Sequence, residues 1–325
     1  MARQERLLSV VAPMMNEEET VAPFLARVRA ALEGVTFEVI LVDDGSKDGT
    51  VAAMEAAAAE DPRVKIVSLS RNFGHQPALT AGLEHATGDA VVMLDGDLQD
   101  PPELIPQMLE RWREGVDVVY AVRQQRLGET VFKRVTARGF YKVFRRLTRM
   151  DLAVESGDFR LMDRRALRAL LAMPERNRFL RGMTVWIGFT QTAVPFVREE
   201  RTAGVTKYPL RKMLRFSFDA ITSFSSVPLQ WATFLGFVFS GVAFLGIPLT
   251  IVARYTNVYE RGVPSTILII LLLGGIQLIT VGIIGEYVGR IYDEVKHRPL
   301  YIVRERANVD APVEEGGRAP SAGAR

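Results

Sequence analysis

Short apolar runs alternate with amphipathic segments through the first part of the chain. Each run has the length of a buried strand and is followed by a polar turn and then by a segment of helical character. The runs cover residues 7–13, 38–42, 64–69 and 91–94. Alternating strand and helix units predict an α/β fold with a mainly parallel sheet, flanking helices, and a ligand at the carboxyl ends of the strands.

Two long stretches without charged side chains follow in the second half of the chain. They cover residues 227–253 and 263–285, and about 20 apolar residues are enough to cross a bilayer as a helix. Basic residues lie between 207 and 215 and between 290 and 298, which predicts that both ends of the hairpin are cytoplasmic. The alternative is a helix pair buried in a soluble core, where uncharged stretches of this length are rare.

The pattern divides the chain into four parts. Residues 1–205 are predicted to be a cytoplasmic α/β domain, 206–226 an amphipathic juxtamembrane segment, and 227–290 a two-helix transmembrane hairpin. Residues 291–325 are predicted to be a cytoplasmic tail that is mostly disordered, because after Val303 it is rich in Arg, Glu, Pro, Gly, Ala and Ser. The expected location is the inner (plasma) membrane, which the chain crosses more than once.

Composition excludes several classes of protein. The 41 Lys and Arg residues nearly balance the 38 Asp and Glu residues, for a net charge of +3, so no nucleic-acid partner is expected. There are no cysteines and only three histidines, which excludes disulfides and zinc–cysteine sites. The G-x-G-x-x-G fingerprint of dinucleotide oxidoreductases does not follow the first strand.

Acidic residues follow the apolar run at 91–94 directly. Asp95 and Asp97 are two residues apart, and the amide of Gln99 is two residues further on. These are hard oxygen ligands that can hold one divalent cation, and such a cation can bind a diphosphate. The same residues are also common turn formers, so a purely structural turn is the alternative.

Two earlier segments have a similar character. Asn16 precedes three glutamates after the first strand, and residues 43–50, Asp-Asp-Gly-Ser-Lys-Asp-Gly-Thr, follow the second. Taken separately, each segment can be explained by structure alone, as the capped start of a helix or as a turn. Because the carboxyl ends of parallel strands share one edge of a sheet, the three segments together predict a common site.

Residues 11–18, 42–50 and 95–103, in this order, resemble the inverting family 2 glycosyltransferases of GT-A fold. Within that family the chain is most similar to bacterial polyprenyl-phosphate glycosyltransferases, which are relatives of dolichol-phosphate mannose synthase. The resemblance spans roughly residues 5 to 300. It implies a GT-A-type sheet with flanking helices, followed by amphipathic interfacial helices and two transmembrane helices.

The resemblance also implies roles for particular residues. Asp95, Asp97 and Gln99 would hold Mg²⁺ or Mn²⁺ on the diphosphate, and Asp97 and Asp158 would be the catalytic residues. Asp158 would either deprotonate or orient the acceptor, since a phosphate monoester is already ionised near neutral pH. The residues implied to contact the nucleotide sugar are Pro13, Glu17, Asp43, Asp44, Ser46, Asp95, Arg201 and Lys207.

A basic and aromatic stretch follows the predicted strand at 117–122. Its cations suit a phosphate carried on a lipid, with the aromatic side chains beside the first isoprene units. The alternatives are a solvated basic helix and a contact with anionic headgroups. The residues predicted to bind the acceptor phosphate are Arg123, Lys133, Arg134 and Arg138.

The function predicted is inverting transfer of a sugar, with UDP-glucose the favoured donor, to polyprenyl phosphate such as undecaprenyl phosphate, a step in building the cell envelope. The expected partners are therefore a nucleotide sugar, a polyprenyl phosphate and the bilayer, and a homo-oligomer is compatible with the sequence. Three alternatives stay open: another donor such as GDP-mannose, a glyceride acceptor, and a non-catalytic membrane scaffold that binds a nucleotide sugar.

Overall fold

A computed structural model describes residues 3, 6–123, 156–196, 227–255 and 263–309. The chain divides into two compact units, one formed by Met1–Pro209 with Pro299–Arg325 and the other by Leu210–Arg298. We describe each unit by itself.

The first unit contains a mixed sheet of eight strands among the described residues, in the order β7-β5-β6-β4-β1-β2-β3-β8. Five strands, β1 to β5, run in one direction, as the alternating pattern predicts, and β7 is parallel to β5. Strands β6 and β8 are antiparallel to their neighbours. The strands are β1 Leu8–Met14, β2 Phe37–Asp43, β3 Val64–Leu69, β4 Ala90–Met93, β5 Val118–Arg123, β6 Ser156–Asp163, β7 Gln191–Phe196 and β8 Val303–Ala307.

Helices cover the sheet, and its central strands are buried on both faces. Leu8, Val10 and Ala12 of β1 belong to one core cluster with residues of α1, α2 and α4, while Val11, between them, is also fully buried. Burial on both faces explains why these strands are continuous apolar runs in the sequence. The helices are α1 Glu18–Ala31, α2 Thr50–Glu60, α3 His75–His85, a 3₁₀ turn at Pro102–Leu104, α4 Ile105–Arg113, α5 Arg164–Leu171 and α6 Leu180–Trp186.

Strand β8 lies where the sequence predicts a disordered tail, and for Val303–Ala307 that prediction is wrong. The strand pairs with the edge strand β3, and the Asn308 side chain donates hydrogen bonds to the carbonyl oxygens of Ala58 and Val64 at 2.8 and 3.0 Å. A composition rule misses such a strand because its stability comes from backbone pairing, and because charged side chains are common on exposed edges.

The second unit contains two long helices, α7 Val227–Tyr255 and α8 Val263–Val295. Within them, Leu229–Gly246 and Leu272–Val295 are long and apolar enough to cross a membrane. Many of their large apolar side chains are exposed, including Phe237 at 75%. These features agree with the two predicted spans, whereas the predicted amphipathic segment at 206–226 lies outside the described residues.

Candidate active site

The candidate segments meet at one edge of the sheet. Strands β1, β2, β3 and β4 are parallel, and their register pairs Met14 with Asp43 and Asp43 with Ser68. The acidic turns that follow β1, β2 and β4 therefore leave the sheet side by side. Strand β6 is antiparallel to β4, with Arg160 opposite Met93, so the beginning of β6, which carries Asp158, reaches the same edge.

The two adjacent aspartates after β2 have different surroundings. Asp43 accepts a hydrogen bond from the Ser46 backbone N–H on Oδ1 at 2.9 Å, while its buried Oδ2 has no hydrogen-bond partner among the described residues. Asp44 accepts the backbone N–H groups of Phe73 and Gly74 at 2.7 and 3.0 Å. Asp44 thus holds two loops together, whereas Asp43 keeps an acceptor oxygen suited to a hydroxyl or amide of a ligand.

The turn after β1 is joined to the turn after β2. The Asn16 N–H donates to Ser46 Oγ at 3.0 Å, and Asn16 Oδ1 accepts the Lys47 N–H at 2.9 Å. Asn16 therefore ties the two turns together instead of capping α1, whose first residue is preceded by Glu17 without a side-chain cap. Pro13 is half-buried near the end of β1, and Glu17 immediately precedes α1, so both lie at this edge.

Gly45 allows the turn after β2 to approach the loop after β3. A Cβ atom at Gly45 would lie 2.6 Å from both the carbonyl carbon of Arg71 and the backbone nitrogen of Asn72. The residue also has φ +75°, a conformation that side chains disfavour. Backbone atoms cannot move aside as a flexible side chain can, so any larger residue must separate the two loops.

We expect Gly45→Ala to weaken nucleotide binding by about tenfold or more, because it displaces the turn that carries Asp43. Gly34→Ala is a matched control: Gly34 has φ +80°, and no atom lies within 4 Å of a Cβ built there. The control measures the cost of the backbone conformation without the clash, about 1 kcal/mol. Calorimetry with UDP compares the two variants, and equal affinities would contradict the proposed packing.

The loop after β4 holds the two candidate metal ligands. Asp97 Oδ1 accepts the Gln99 N–H at 3.1 Å, and Leu98 between them adopts φ +61°. Asp95 Oδ1 is buried without a hydrogen-bond partner among the described residues. Burial raises the pKa of Asp95, and the neighbouring Asp158 and Asp97 carboxylates add to this effect, while the charge of His75 opposes it.

These residues fit a divalent cation. A buried carboxylate oxygen that accepts no hydrogen bond among the described residues suits a hard cation, and Gln99, also buried, can add an amide oxygen. Among the described residues no group of three or more His, Asp or Glu side chains could hold a metal by itself. An Mg²⁺-type site commonly has only one or two carboxylates, the other ligands being phosphate oxygens and water.

Asp158 is surrounded by hydrogen-bond donors. Its Oδ2 lies 3.2 Å from both His75 Nε2 and Gln76 Nε2, and its Oδ1 accepts from Arg181 Nε at 3.1 Å. Burial alone would raise the pKa of Asp158, but the hydrogen bond with His75 and the charges of Arg181 and Arg160 outweigh burial and hold it well below its ordinary value. Such a carboxylate is a weak proton acceptor at neutral pH.

His75, Gln76 and Arg181 lie at the candidate site beside Asp158, but the sequence pattern did not single them out. His75 Nε2 lies 3.5 Å from Asp95 Oδ1 as well as 3.2 Å from Asp158 Oδ2, so it lies between the loop after β4 and Asp158. One signal could have found it, since the first turn of the helix after β3 must begin at the same edge as the acidic turns.

Arg123 also lies at this edge, as the last residue of β5. Its Nη2 is 3.9 Å from Oδ1 of the buried Asp100, and its side chain is 34% exposed. A Cβ atom at Gly157, next to Asp158, would lie 3.4 Å from the same Nη2. The other residues predicted for the acceptor phosphate, Lys133, Arg134 and Arg138, lie outside the described residues. So do Arg201 and Lys207, which were predicted to contact the nucleotide sugar.

A mainly parallel sheet whose carboxyl edge carries two acidic turns, an Asp-x-Asp loop and a buried aspartate defines a GT-A-type glycosyltransferase. The model of the family "Glycosyl transferase family 2" matches residues 9–171, and the chain belongs to this family. Both the predicted fold class and the prediction of an enzyme that transfers a sugar are therefore confirmed.

Several relatives are similar over nearly the whole chain. The "Uncharacterized glycosyltransferase YkcC" of Bacillus subtilis is 47% identical, covering 93% of this chain and 94% of its own. The "Bactoprenol glucosyl transferase" of Shigella phage SfV is 43% identical over 91% of this chain and 98% of its own. The "Prophage bactoprenol glucosyl transferase homolog" of Escherichia coli K12 has the same identity and coverage.

Among solved structures, the chain is similar to glucosyl-3-phosphoglycerate synthase from Mycobacterium tuberculosis in complex with Mn²⁺, UDP-glucose and phosphoglyceric acid. The identity is 23% and the TM-score 0.47, with 66% of this chain and 77% of that chain covered.

Proposed function

We propose that this enzyme transfers glucose from UDP-glucose to a polyprenyl phosphate such as undecaprenyl phosphate, with inversion at the anomeric carbon, on the cytoplasmic face of the membrane. The observation that carries the proposal is the similarity to enzymes named bactoprenol glucosyl transferase, bactoprenol being a polyprenol. It covers 91% of this chain and 98% of the phage enzyme, so it extends beyond the sheet. Transfer of labelled glucose to undecaprenyl phosphate by the purified chain tests the proposal.

The donor site is proposed to lie along the turns after β1, β2 and β4. Asp43 would accept a hydrogen bond from the nucleoside on its unpaired Oδ2, and Asp44 and Ser46 would hold the turn that carries it. Asp95, Asp97 and Gln99 would hold Mg²⁺ or Mn²⁺. Such a cation, when bound, supplies Lewis-acid stabilisation of the negative charge on the departing diphosphate.

The reaction itself needs little proton transfer. An oxygen of the acceptor phosphate forms a bond to the anomeric carbon as the bond from that carbon to the UDP oxygen breaks, and displacement from the opposite side inverts the configuration. The phosphate monoester, with a second pKa of about 6, is already largely a dianion at neutral pH. Asp158, whose pKa is lowered by the neighbouring His75 and Arg181 against the effect of burial, would therefore orient groups at this edge rather than remove a proton.

We propose that Arg123, Lys133, Arg134 and Arg138 bind the phosphate of the lipid acceptor. We expect Arg123→Ala to raise the KM for polyprenyl phosphate by roughly tenfold, since one charge-assisted hydrogen bond contributes about 1.5 to 3 kcal/mol. The affinity for UDP, measured by calorimetry, should change little. Arg111→Ala on the exposed surface of α4 is the control. Loss of UDP binding with an unchanged acceptor KM would place Arg123 in the donor site.

We also propose that the two long helices cross the inner membrane. The first unit would then lie in the cytoplasm, and the link between the two helices would face the periplasm. The chain has no cysteine, so single-cysteine variants can be labelled without background. Tyr259→Cys, outside the described residues, should react with an impermeant thiol reagent applied to cells with a permeabilised outer membrane. Arg63→Cys should react only after the inner membrane is broken. The opposite pattern would contradict this topology.

A further inference from the structure

Gln76 makes contacts that suit a role in orienting the carboxylate of Asp158. It lies in the first turn of α3 and is partly buried. Its Oε1 accepts the Leu180 N–H at 2.9 Å, and its Nε2 donates to Asp158 Oδ2 at 3.2 Å. One side chain thus connects three elements that are distant in sequence, namely α3, β6 and the beginning of α6.

The orientation of the Gln76 amide is determined by its partners. The backbone N–H of Leu180 can only donate, so the oxygen of the amide must face it, and the NH₂ group must then face Asp158. Asp158 consequently receives a hydrogen bond from a group that cannot turn around. The residue after Leu180 is Arg181, which donates to the other oxygen of Asp158 at 3.1 Å.

Gln76 differs from the other partners of Asp158 because it carries no charge. His75 and Arg181 bring positive charge near the carboxylate, and their effect is to keep it ionised. A neutral amide contributes mainly direction, since a carboxylate held by donors on both oxygens cannot rotate about its last bond. The orientation matters because His75, which contacts Oδ2 of Asp158, also lies 3.5 Å from Oδ1 of Asp95.

We propose that Gln76 is a positioning residue for sugar transfer. Its amide, fixed by Leu180, sets the orientation of the Asp158 carboxylate. Through His75 it also sets the distance between that carboxylate and Asp95 in the loop after β4. The proposal rests on the proposed function for the identity of the reaction. It predicts a defect in the chemical step rather than in nucleotide binding, because the Gln76 side chain bonds to Leu180 and Asp158, whereas the turn that carries Asp43 is held by Ser46 and Asn16.

The test is Gln76→Glu, which has the same shape and keeps an oxygen for the Leu180 N–H. It replaces the donor facing Asp158 with a second negatively charged oxygen. We expect kcat to fall by roughly tenfold or more, the loss that follows from removing one hydrogen bond to a charged group. The KM for UDP-glucose should change by less than about threefold. Gln107→Glu on the exposed face of α4 is the matched control and should behave as the wild type.

A double-mutant cycle with Asp158→Asn separates positioning from a general structural defect. In that background the side chain at 158 can itself donate, so Gln76→Glu should cause no further loss of kcat. Equal losses in the two backgrounds, or a change in kcat below about twofold in the wild-type background, would overturn the proposal. Gln76→Met serves as a second variant under the same criteria if Gln76→Glu does not yield folded protein.

The outcome can be distinguished from failure of the proposed function. A wild-type chain that transfers no glucose to undecaprenyl phosphate contradicts the function. The cycle is then measured with the sugar nucleotide and lipid that do support turnover. Non-additive losses of kcat in that reaction would still support Gln76 as a positioning residue for Asp158, and additive losses would still overturn it.

Discussion

Asp97→Ala is expected to lower the rate of sugar transfer by about 100-fold or more, the loss typical of removing a group that stabilises charge in a transition state. In the loop after β4, Oδ1 of Asp95 is buried and Leu98 is in a left-handed conformation. Activity should also stop in EDTA and return when Mg²⁺ or Mn²⁺ is added.

Asp89→Ala is a control at the opposite end of β4. Asp89 is exposed and precedes β4 at its amino end, where it accepts the Arg6 N–H at 2.8 Å. It therefore tests removal of an aspartate from this part of the chain without touching the carboxyl edge. Its rate should stay within about twofold of the wild type. Full turnover by Asp97→Ala, or by the wild type in EDTA, would contradict the requirement for a divalent cation held by Asp97.

Glu38→Ala is expected to destabilise the protein by about 3 kcal/mol, because it leaves several buried polar groups without a partner. Glu38 Oε1 accepts from Ser9 Oγ at 2.5 Å and from the Thr87 N–H at 2.7 Å, and Oε2 pairs with Lys65 Nζ at 2.5 Å. For a unit of about 200 residues this corresponds to a fall of about 6 to 12 °C in Tm. Glu55→Ala, on an exposed part of α2, should shift Tm by no more than about 2 °C.

The Glu38 carboxylate should also make the stability of the protein depend on pH. Burial alone would raise the pKa of Glu38, but hydrogen bonds from Lys65, Ser9 and Thr87 outweigh it, and the pKa lies below its ordinary value of 4.5. A pKa lowered by folding gives stability that is complete above about pH 4.5 and is lost as the pH falls through the folded-state value. Glu38→Gln should therefore show a smaller fall in Tm on acidification than the wild type. An identical fall would show that Glu38 does not contribute.

The sequence predicts that the acidic turns share one edge of the sheet, because the signals for this are local. Four apolar residues ending at Leu94 mark a strand buried on both faces, and the residues after such a strand must lie at its carboxyl end. This reasoning places Asp43, Asp95 and Asp97 at that edge. The same reasoning could not separate the role of Asp44 from that of Asp43, since the difference depends on the backbone N–H groups of residues 73 and 74.

Contacts between distant segments were harder to predict. Asp158 reaches the edge of the acidic turns because β6 runs antiparallel to β4, and a run of mixed polar and apolar residues does not reveal strand direction. The contacts of His75 and Gln76 with Asp158 depend on that direction and on where α3 begins. Strand β8 was missed because its charged residues resemble a disordered tail, although backbone pairing with β3 needs no apolar pattern.

Helix α8 extends beyond the uncharged stretch. The uncharged stretch ends at Gly285, but the helix continues to Val295. Glu286 and Arg290, four residues apart, form an ion pair at 3.0 Å. Such a pair supports a helix beyond the apolar segment, so the length of an uncharged stretch predicts a membrane span and not the end of the helix.

The most direct test is to incubate the purified full-length chain with UDP-glucose labelled in the sugar, undecaprenyl phosphate and Mg²⁺, and then to analyse the lipid fraction. The account predicts labelled glucose joined to undecaprenyl phosphate through a β linkage, since the donor is the α anomer and the transfer inverts it. Asp97→Ala should lower the amount of product by about 100-fold or more. No labelled lipid from UDP-glucose, label on a glyceride, or an α-linked product would contradict it.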